Sequence, residues 1–333
     1  MSKIKVGING FGRIGRLALR AAWGWPDMEF VAINDPGADA ATLAHLLNFD
    51  SIHGRWSHDA TADGTEIEIE GKRIRVTHNR TIGETDWSGC DLVIEASGVN
   101  KKVSALQAYL DQGVKRVVVT APVKEAGAKN IVVGVNDDIF EPASDRIVTA
   151  ASCTTNCLAP MVKVLHQKFG IVKGYMTTTH AYTADQRLQD APHEDLRRAR
   201  AAALSIIPTT TGAAKAVGLV LPEMKGRLDG FAMRVPTPTG SVTDLTVELE
   251  KEVSADEINQ AMKEASGNAL KGILEYTDEP IVSADIMGHH ASCIFDSELT
   301  ATNGNMAKVV GWYDNEMGYS SRLADLTIKM SQL

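Results

Sequence analysis

The sequence predicts an α/β fold in two halves: an N-terminal doubly wound parallel sheet, then a C-terminal α+β half with a mainly antiparallel sheet. Three observations carry this. Short apolar runs alternate with helical periodicity through the first 150 or so residues, a glycine-rich turn joins the first run to the first helix, and beyond Cys153 long segments of alternating polarity take over. A chain of 333 residues suits two domains, expected at 1–151 and 152–315, with a closing helix at about 316–333 joining the first.

The elements follow in order. Ile4 to Ile8 reads as a strand, Arg13 to Trp23 as a helix and Glu29 to Ile33 as a second strand. Asp63 to Val76 is expected to be a hairpin. Leu92–Glu95 and Arg116–Thr120 are short apolar strands bracketing a helical stretch from Val103 to Gln112, and such alternation places strands in parallel. Arg146–Ala150 reads as a further strand before a helix from Asn156 to Phe169, where Leu158, Met161, Val162 and Leu165 share helical spacing. Gly174 to His180, Gly230 to Val235 and Ser241 to Glu250 alternate with period two, the mark of an antiparallel sheet with helices on one face. Leu323, Leu326 and Ile328 mark a last helix over Ser320 to Met330.

A composition of 44% hydrophobic and 23% charged residues is ordinary for a folded domain, and a net charge of −8 argues against nucleic-acid or anionic-membrane partners. Any anion site must be local. The chain enters a strand-like run at once, with no apolar signal core and no membrane-length apolar segment, so a cytoplasmic location is expected. Cys90, Cys153, Cys157 and Cys293 match neither a disulfide framework nor a zinc spacing, which implies reduced thiols and no metal.

Gly10, Gly12 and Gly15 follow the first strand and open the first helix, the G-x-G-x-x-G spacing in its proper context. The first glycine permits the tight turn, the second lets a pyrophosphate approach the backbone, and the third lets helix and strand pack closely. A Rossmann-type dinucleotide site follows. Asp35 ends the second strand about twenty residues downstream, where a carboxylate accepts from ribose hydroxyls and repels a 2′-phosphate, so NAD is favoured over NADP. Ser97 and Thr120 each follow a strand and are candidates to line the nicotinamide half, though both also suit ordinary turns.

Ala151–Cys157 sets Cys153 among hydroxyl and amide groups where a strand gives way to a helix. Helix N-termini favour an anionic sulfur. Lowering a thiol pKa from about 8.5 to about 6 requires roughly 3.4 kcal/mol, of which a helix end supplies about 1, so a positive neighbour, most naturally an imidazolium, is expected. Two packed apolar thiols one turn apart are the plain alternative. His180 ends the threonine-rich run Thr177–Thr179 and is the candidate base that moves the proton. Arg197, Arg198 and Arg200, then Pro208–Gly212, then Arg234 within an otherwise apolar strand, offer guanidinium, hydroxyl and turn N–H ligands for phosphate.

With these motifs in hand, the chain resembles phosphorylating glyceraldehyde-3-phosphate dehydrogenases from Val6 to Arg322, most specifically at Gly7–Arg16, Ala151–Pro160, Thr177–His180, Asp195–Ala203, Pro208–Val217, Arg234–Pro238 and Trp312–Ser320. The resemblance implies Cys153 as nucleophile and His180 as base in the second, catalytic domain. It assigns Gly10, Gly12, Arg13, Ile14, Gly15, Asp35, Arg80, Ser97, Thr120, Asn315 and Tyr319 to NAD. It assigns Thr183 and Arg234 to the substrate phosphate, Ser152, Thr154, Thr211 and Gly212 to inorganic phosphate, and Arg198 near both, with Asp185 also among the substrate- and phosphate-binding residues. The implied reaction runs from D-glyceraldehyde 3-phosphate through a Cys153 thiohemiacetal and thioester to 1,3-bisphosphoglycerate, with arsenate able to replace phosphate. Family members are usually homotetramers with the Tyr182–Arg200 loop at a subunit interface.

Met317 stands where many relatives have tryptophan, and Ala191 departs from the Leu-Pro pair of the family's NAD enzymes, leaving room for some NADP use. Trp23–Trp56 and Ala121–Asp138 are similar to bacterial paralogues associated with arsenic resistance. Two rival readings remain: an erythrose-4-phosphate dehydrogenase, which the Thr211–Lys215 run argues against, and a non-catalytic redox-sensing nucleotide-binding module.

Overall fold

The computed structural model describes residues 3–331, so positions 1–2 and 332–333 of the expected first domain and closing helix lie outside the described residues. The chain divides into two compact units, one holding the chain up to Ile131, Asp138–Ala151 and the chain from Ser320 on, the other Val132–Asp137 and Ser152–Tyr319.

The first unit runs β1 (Ile4–Asn9), α1 (Arg13–Ala22), β2 (Met28–Asn34), α2 (Ala40–Asn48), β3 (Ala60–Asp63), β4 (Glu66–Ile69), β5 (Lys72–Thr77), β6 (Leu92–Glu95), α3 (Val103–Leu110), β7 (Arg116–Val119), β8 (Lys129–Asn130) and β9 (Ile147–Thr149). They form one nine-stranded sheet in the order β3-β4-β5-β2-β1-β6-β7-β9-β8. All pairs are parallel except β3–β4 and β4–β5. The stretch expected to be one hairpin is therefore part of a three-stranded meander. Left-handed backbone at Gly64 and again at Glu70 and Gly71 reverses the chain twice. β1 pairs with β2 on one side and β6 on the other, so the strand order switches at the carboxyl end of β1, where a parallel sheet binds its ligand. Trp87, Tyr109, Val93 and Val117 lie at the centre of a fully buried apolar cluster beneath.

The second unit contains α4 (Cys153–Phe169), β10 (Ile171–Ala181), β11 (Ile207–Thr210), α5 (Ala213–Val220), β12 (Leu228–Val235), β13 (Ser241–Leu249), α6 (Ala255–Gly267), β14 (Leu274–Thr277), β15 (Cys293–Asn303) and β16 (Met306–Tyr313); α7 (Met317–Ser331) begins here. The seven-stranded sheet has the order β11-β12-β10-β13-β16-β15-β14. Only β10–β12 and β14–β15 are parallel. β13 buries every second residue, because one face packs against helices while the other stays wetter. Helix α4 begins three residues before the expected Asn156. The Ser152 hydroxyl accepts from Thr155 N–H at 3.1 Å and so starts the first turn at Cys153 itself.

Candidate active site

In the first unit the Gly10–Gly15 turn is shaped by close backbone approach. Gly10 adopts φ 91, and a β-carbon there would sit 2.4 Å from Ser97 N; at Gly15 it would sit 2.2 Å from Gly10 O. Gly12 faces open space, leaving its backbone accessible. Asp35 accepts from Phe11 N–H at 2.7 Å and Gly37 N–H at 2.8 Å, so the carboxylate braces the turn. A turn with this open glycine and a strand-end carboxylate fits a dinucleotide. Arg13 forms an ion pair with Asp50 at 2.6 Å. Burial opposes ionisation of Asp50, yet hydrogen bonds from His53 N–H, Arg13 and Ile52 N–H prevail and pull its pKa to about 2. Ile14 is half-buried in the first turn of α1, and Arg80 is exposed, with its N–H donating to Glu84 at 3.2 Å.

Ser97 and Thr120 converge on a residue that sequence reasoning passes over. Glu95 is 1% exposed and accepts from Asn9 (2.9 Å), Tyr109 (2.6 Å), Asn100 (3.0 Å) and Ser97 N–H (2.9 Å), while its backbone carbonyl accepts from Thr120 N–H (3.0 Å). Asn9 in turn accepts from Asn34 at 2.8 Å, tying the ends of β1, β2 and β6 together. A carboxylate closing an apolar strand is the only signal the sequence carries.

In the second unit, Cys153 Sγ lies 3.4 Å from His180 Nε2. Helix α4 presents the thiol from its first residue, and β10 delivers the imidazole from its penultimate one. Thr154 Oγ1 is 4.0 Å from the sulfur and 2.8 Å from Tyr313 Oη, which is 2.7 Å from Thr178 Oγ1. Tyr313 also meets the His180 ring edge-on with centroids 6.0 Å apart, so this hydroxyl relay and ring contact fix both partners.

The charge state differs from the expected thiolate–imidazolium pair. Burial, then the Arg234 charge, hold the His180 pKa down to about 3, so the imidazole is neutral. Burial also pushes the Cys153 thiol up, against the pull of Arg234 and of hydrogen bonds around Thr154. The positive neighbour is therefore a guanidinium rather than an imidazolium. It arrives by register: His180 and Arg234 lie opposite each other in the parallel β10–β12 pair.

Arg234 Nη1 is 2.9 Å from His180 Nδ1, 3.1 Å from Ala181 O and 3.0 Å from Thr183 Oγ1. The Thr183 hydroxyl donates to Asp185, whose other oxygen accepts from Arg198 at 2.7 Å. Arg198 further donates to Thr209 Oγ1 at 3.0 Å and Thr210 O at 3.5 Å, adjoining Thr211, whose hydroxyl accepts from Ala213 N–H at 3.2 Å, and Gly212, which caps α5. Cys153, Thr154, His180, Thr183, Asp185, Arg198 and Arg234 thus form one connected set. Ser152 caps α4 and stands at its edge. Asn315 joins this set through Ser241: its carboxamide oxygen accepts from Ser241 at 2.8 Å and Thr239 at 3.3 Å, and Ser241 Oγ accepts from Ala181 N–H at 3.0 Å. Tyr319 is buried, and burial raises its pKa.

A dinucleotide turn on a parallel sheet marks the first unit, and the second unit by itself holds a cysteine–histidine pair beside arginines; these are features of a nucleotide-dependent oxidoreductase. Two family models match the sequence: the NAD binding domain of glyceraldehyde 3-phosphate dehydrogenase at residues 4–103 and the C-terminal domain of the same enzyme at 152–315. The chain belongs to the glyceraldehyde-3-phosphate dehydrogenase family. It is 55% identical over 330 residues to a glyceraldehyde-3-phosphate dehydrogenase of Streptomyces coelicolor, covering 98% of each chain. It is 54% identical to those of Geobacillus stearothermophilus and Mycolicibacterium smegmatis, covering 97% of each chain in both cases.

Proposed function

We propose that this chain oxidises glyceraldehyde 3-phosphate with NAD and passes the acyl group to inorganic phosphate, with Cys153 as nucleophile and His180 as base. The 3.4 Å approach of Cys153 Sγ to His180 Nε2 at the start of α4 carries the reading. His180 Nε2 takes the thiol proton, the sulfur adds to the aldehyde carbon, and the imidazolium returns that proton to the carbonyl oxygen to give a thiohemiacetal. His180 then draws off the hydroxyl proton as the oxygen becomes a carbonyl. NAD, when bound, supplies the acceptor for the hydride that leaves this carbon. Phosphate displaces the sulfur of the resulting thioester, so 1,3-bisphosphoglycerate departs and the thiolate is regenerated.

The Gly10–Gly15 turn with Arg13 and Ile14, and then Asp35, Arg80, Ser97, Thr120, Asn315 and Tyr319, are the residues we assign to NAD. Thr183 and Arg234 are assigned to the substrate phosphate, and Ser152, Thr154, Thr211 and Gly212 to the incoming phosphate, with Arg198 near both and Asp185, which accepts from Thr183 and Arg198, completing the substrate- and phosphate-binding set. We further propose a homotetramer. Leu188 (83% exposed), Leu196 (81%) and Leu204 (84%) in and beside the 182–200 loop support it, because large apolar side chains left this exposed along one segment suit burial against a protein partner. Four free cysteines support a reducing, cytoplasmic setting; among the described residues no helix is long and apolar enough to cross a membrane.

NADH formation from glyceraldehyde 3-phosphate tests the reading. Turnover is expected to require phosphate or arsenate, and equal rates without either anion would point to hydrolytic release instead.

A further inference from the structure

Asn315 is 4% exposed, yet its carboxamide nitrogen meets no partner among the described residues, while its oxygen is held twice, by Ser241 at 2.8 Å and Thr239 at 3.3 Å. A buried N–H₂ left open calls for an acceptor from outside the protein. The two hydroxyls are not equivalent. Thr239 has one hydrogen and lies nearer the Asp314 carboxylate, at 2.7 Å, so its donation goes there. Ser241 Oγ accepts from Ala181 N–H at 3.0 Å, which leaves its hydrogen for Asn315 Oδ1. The backbone that carries the amide is fixed as well. Asp314, 1% exposed, accepts from Gly288 N–H at 2.7 Å, Glu316 N–H at 2.8 Å and Met317 N–H at 3.0 Å, locking the turn into α7. Ser241 is therefore the one donor that decides which end of the Asn315 amide is left open; without it the amide is free to turn over.

We propose that Ser241 is a positioning residue for the cofactor: by donating to Asn315 Oδ1 it commits the amide to presenting Nδ2–H₂, so the chain selects a pyridine ring whose carboxamide offers its carbonyl oxygen. This rests on the assignment of Asn315 to NAD. A carbonyl oxygen brought to Nδ2 satisfies a buried donor, whereas an amide N–H₂ brought there sets donor against donor. The rotation of the ring's carboxamide is chosen accordingly. Because the same hydroxyl accepts from Ala181, the last residue of β10, one side chain ties the amide that holds the ring to the strand that ends beside it. Ser241 is wholly buried, at the first residue of β13, so it acts on the cofactor only through Asn315.

The test is equilibrium binding to the full chain, read by calorimetry, with NAD, its thionicotinamide analogue, its 3-acetylpyridine analogue and ADP-ribose as probes. The first analogue puts sulfur, a weak acceptor, in place of the carbonyl oxygen; the second keeps the oxygen and loses the N–H₂; ADP-ribose lacks the ring. The parent chain is expected to bind the thio analogue about tenfold more weakly than NAD and the acetylpyridine analogue within about threefold of NAD. Ser241→Ala is expected to bring NAD and the thio analogue within about threefold of each other while leaving ADP-ribose binding unchanged, which a merely structural loss does not do. If that variant does not fold, Ser241→Cys, similar in shape but with a weak S–H donor, is expected to lower the same preference. A preference unchanged in the variant that folds would overturn the proposal and leave NAD as the cofactor. So would a parent chain that holds the thio analogue as tightly as NAD, or the acetylpyridine analogue less tightly than the thio analogue. NAD bound no more tightly than ADP-ribose, with Asn315→Asp making no difference, would remove the assignment of Asn315 to NAD and the proposal with it.

Discussion

Cys153 Sγ and His180 Nε2 lie 3.4 Å apart, the thiol on the first residue of a helix and the imidazole near the end of a strand. Neither element alone makes a reactive pair. The helix end offers orphan N–H groups to an anion, and the strand offers a rigid ring that Tyr313 and Ala181 hold in place. Replacing Cys153 by serine is expected to abolish turnover while leaving NAD binding intact. His180→Gln is expected to lower kcat by about 10²–10⁴, the usual worth of a positioned proton carrier. Steady-state rates and NAD titration of both variants check this.

The neutral, buried His180 has a consequence for stability. Its folded pKa of about 3 lies below the unfolded value of about 6.5, so the unfolded chain binds the extra proton in between. The stability it contributes is complete above about pH 6.5 and declines as pH falls toward 3, at up to about 1.4 kcal/mol per pH unit. Denaturant midpoints at pH 7 and pH 5 are expected to fall less in His180→Gln than in the parent chain.

Glu95 is expected to matter more than its silence in the sequence suggests. Glu95→Gln puts an amide N–H₂ where a carboxylate oxygen accepted donors, setting donor against donor at Ser97 or at Asn9, Tyr109 and Asn100. A cost of about 1–3 kcal/mol and a raised KM for NAD are expected, measured by thermal shift and kinetics.

Much of this was open to reading from residues alone, and the exceptions share a cause. Gly10 and Gly15 betray themselves because close backbone approach excludes side chains, Gly12 because it completes their spacing, and Cys153 because few contexts surround a thiol with Ser152, Thr154 and Asn156. The charge state of His180 is different: it depends on Arg234, 54 residues away, arriving beside it through strand register. Glu95 depends likewise on Asn9, 86 residues earlier. The hairpin expected over 63–76 captures the turn at Glu70-Gly71 but misses the edge strand β3, because Ala60–Asp63 is short and buries only Ala60, leaving no apolar alternation to read.

Asp35 braces the glycine turn, and through the ribose contact proposed for it its charge is expected to set cofactor choice. Asp35→Asn keeps the acceptor for Phe11 N–H and removes a like-charge repulsion worth about 1–4 kcal/mol at 4 Å. The ratio of kcat/KM for NADP to that for NAD is expected to rise by about one to two orders of magnitude.

The covalent step is open to direct observation. The full chain is mixed with glyceraldehyde 3-phosphate and NAD without phosphate, quenched in acid, and the peptide bearing Cys153 is weighed by mass spectrometry. A single burst of NADH matched by one phosphoglyceroyl group on Cys153, discharged on adding phosphate, is the expected result. A burst with Cys153 unmodified, or with the acyl group on another residue, would contradict the account.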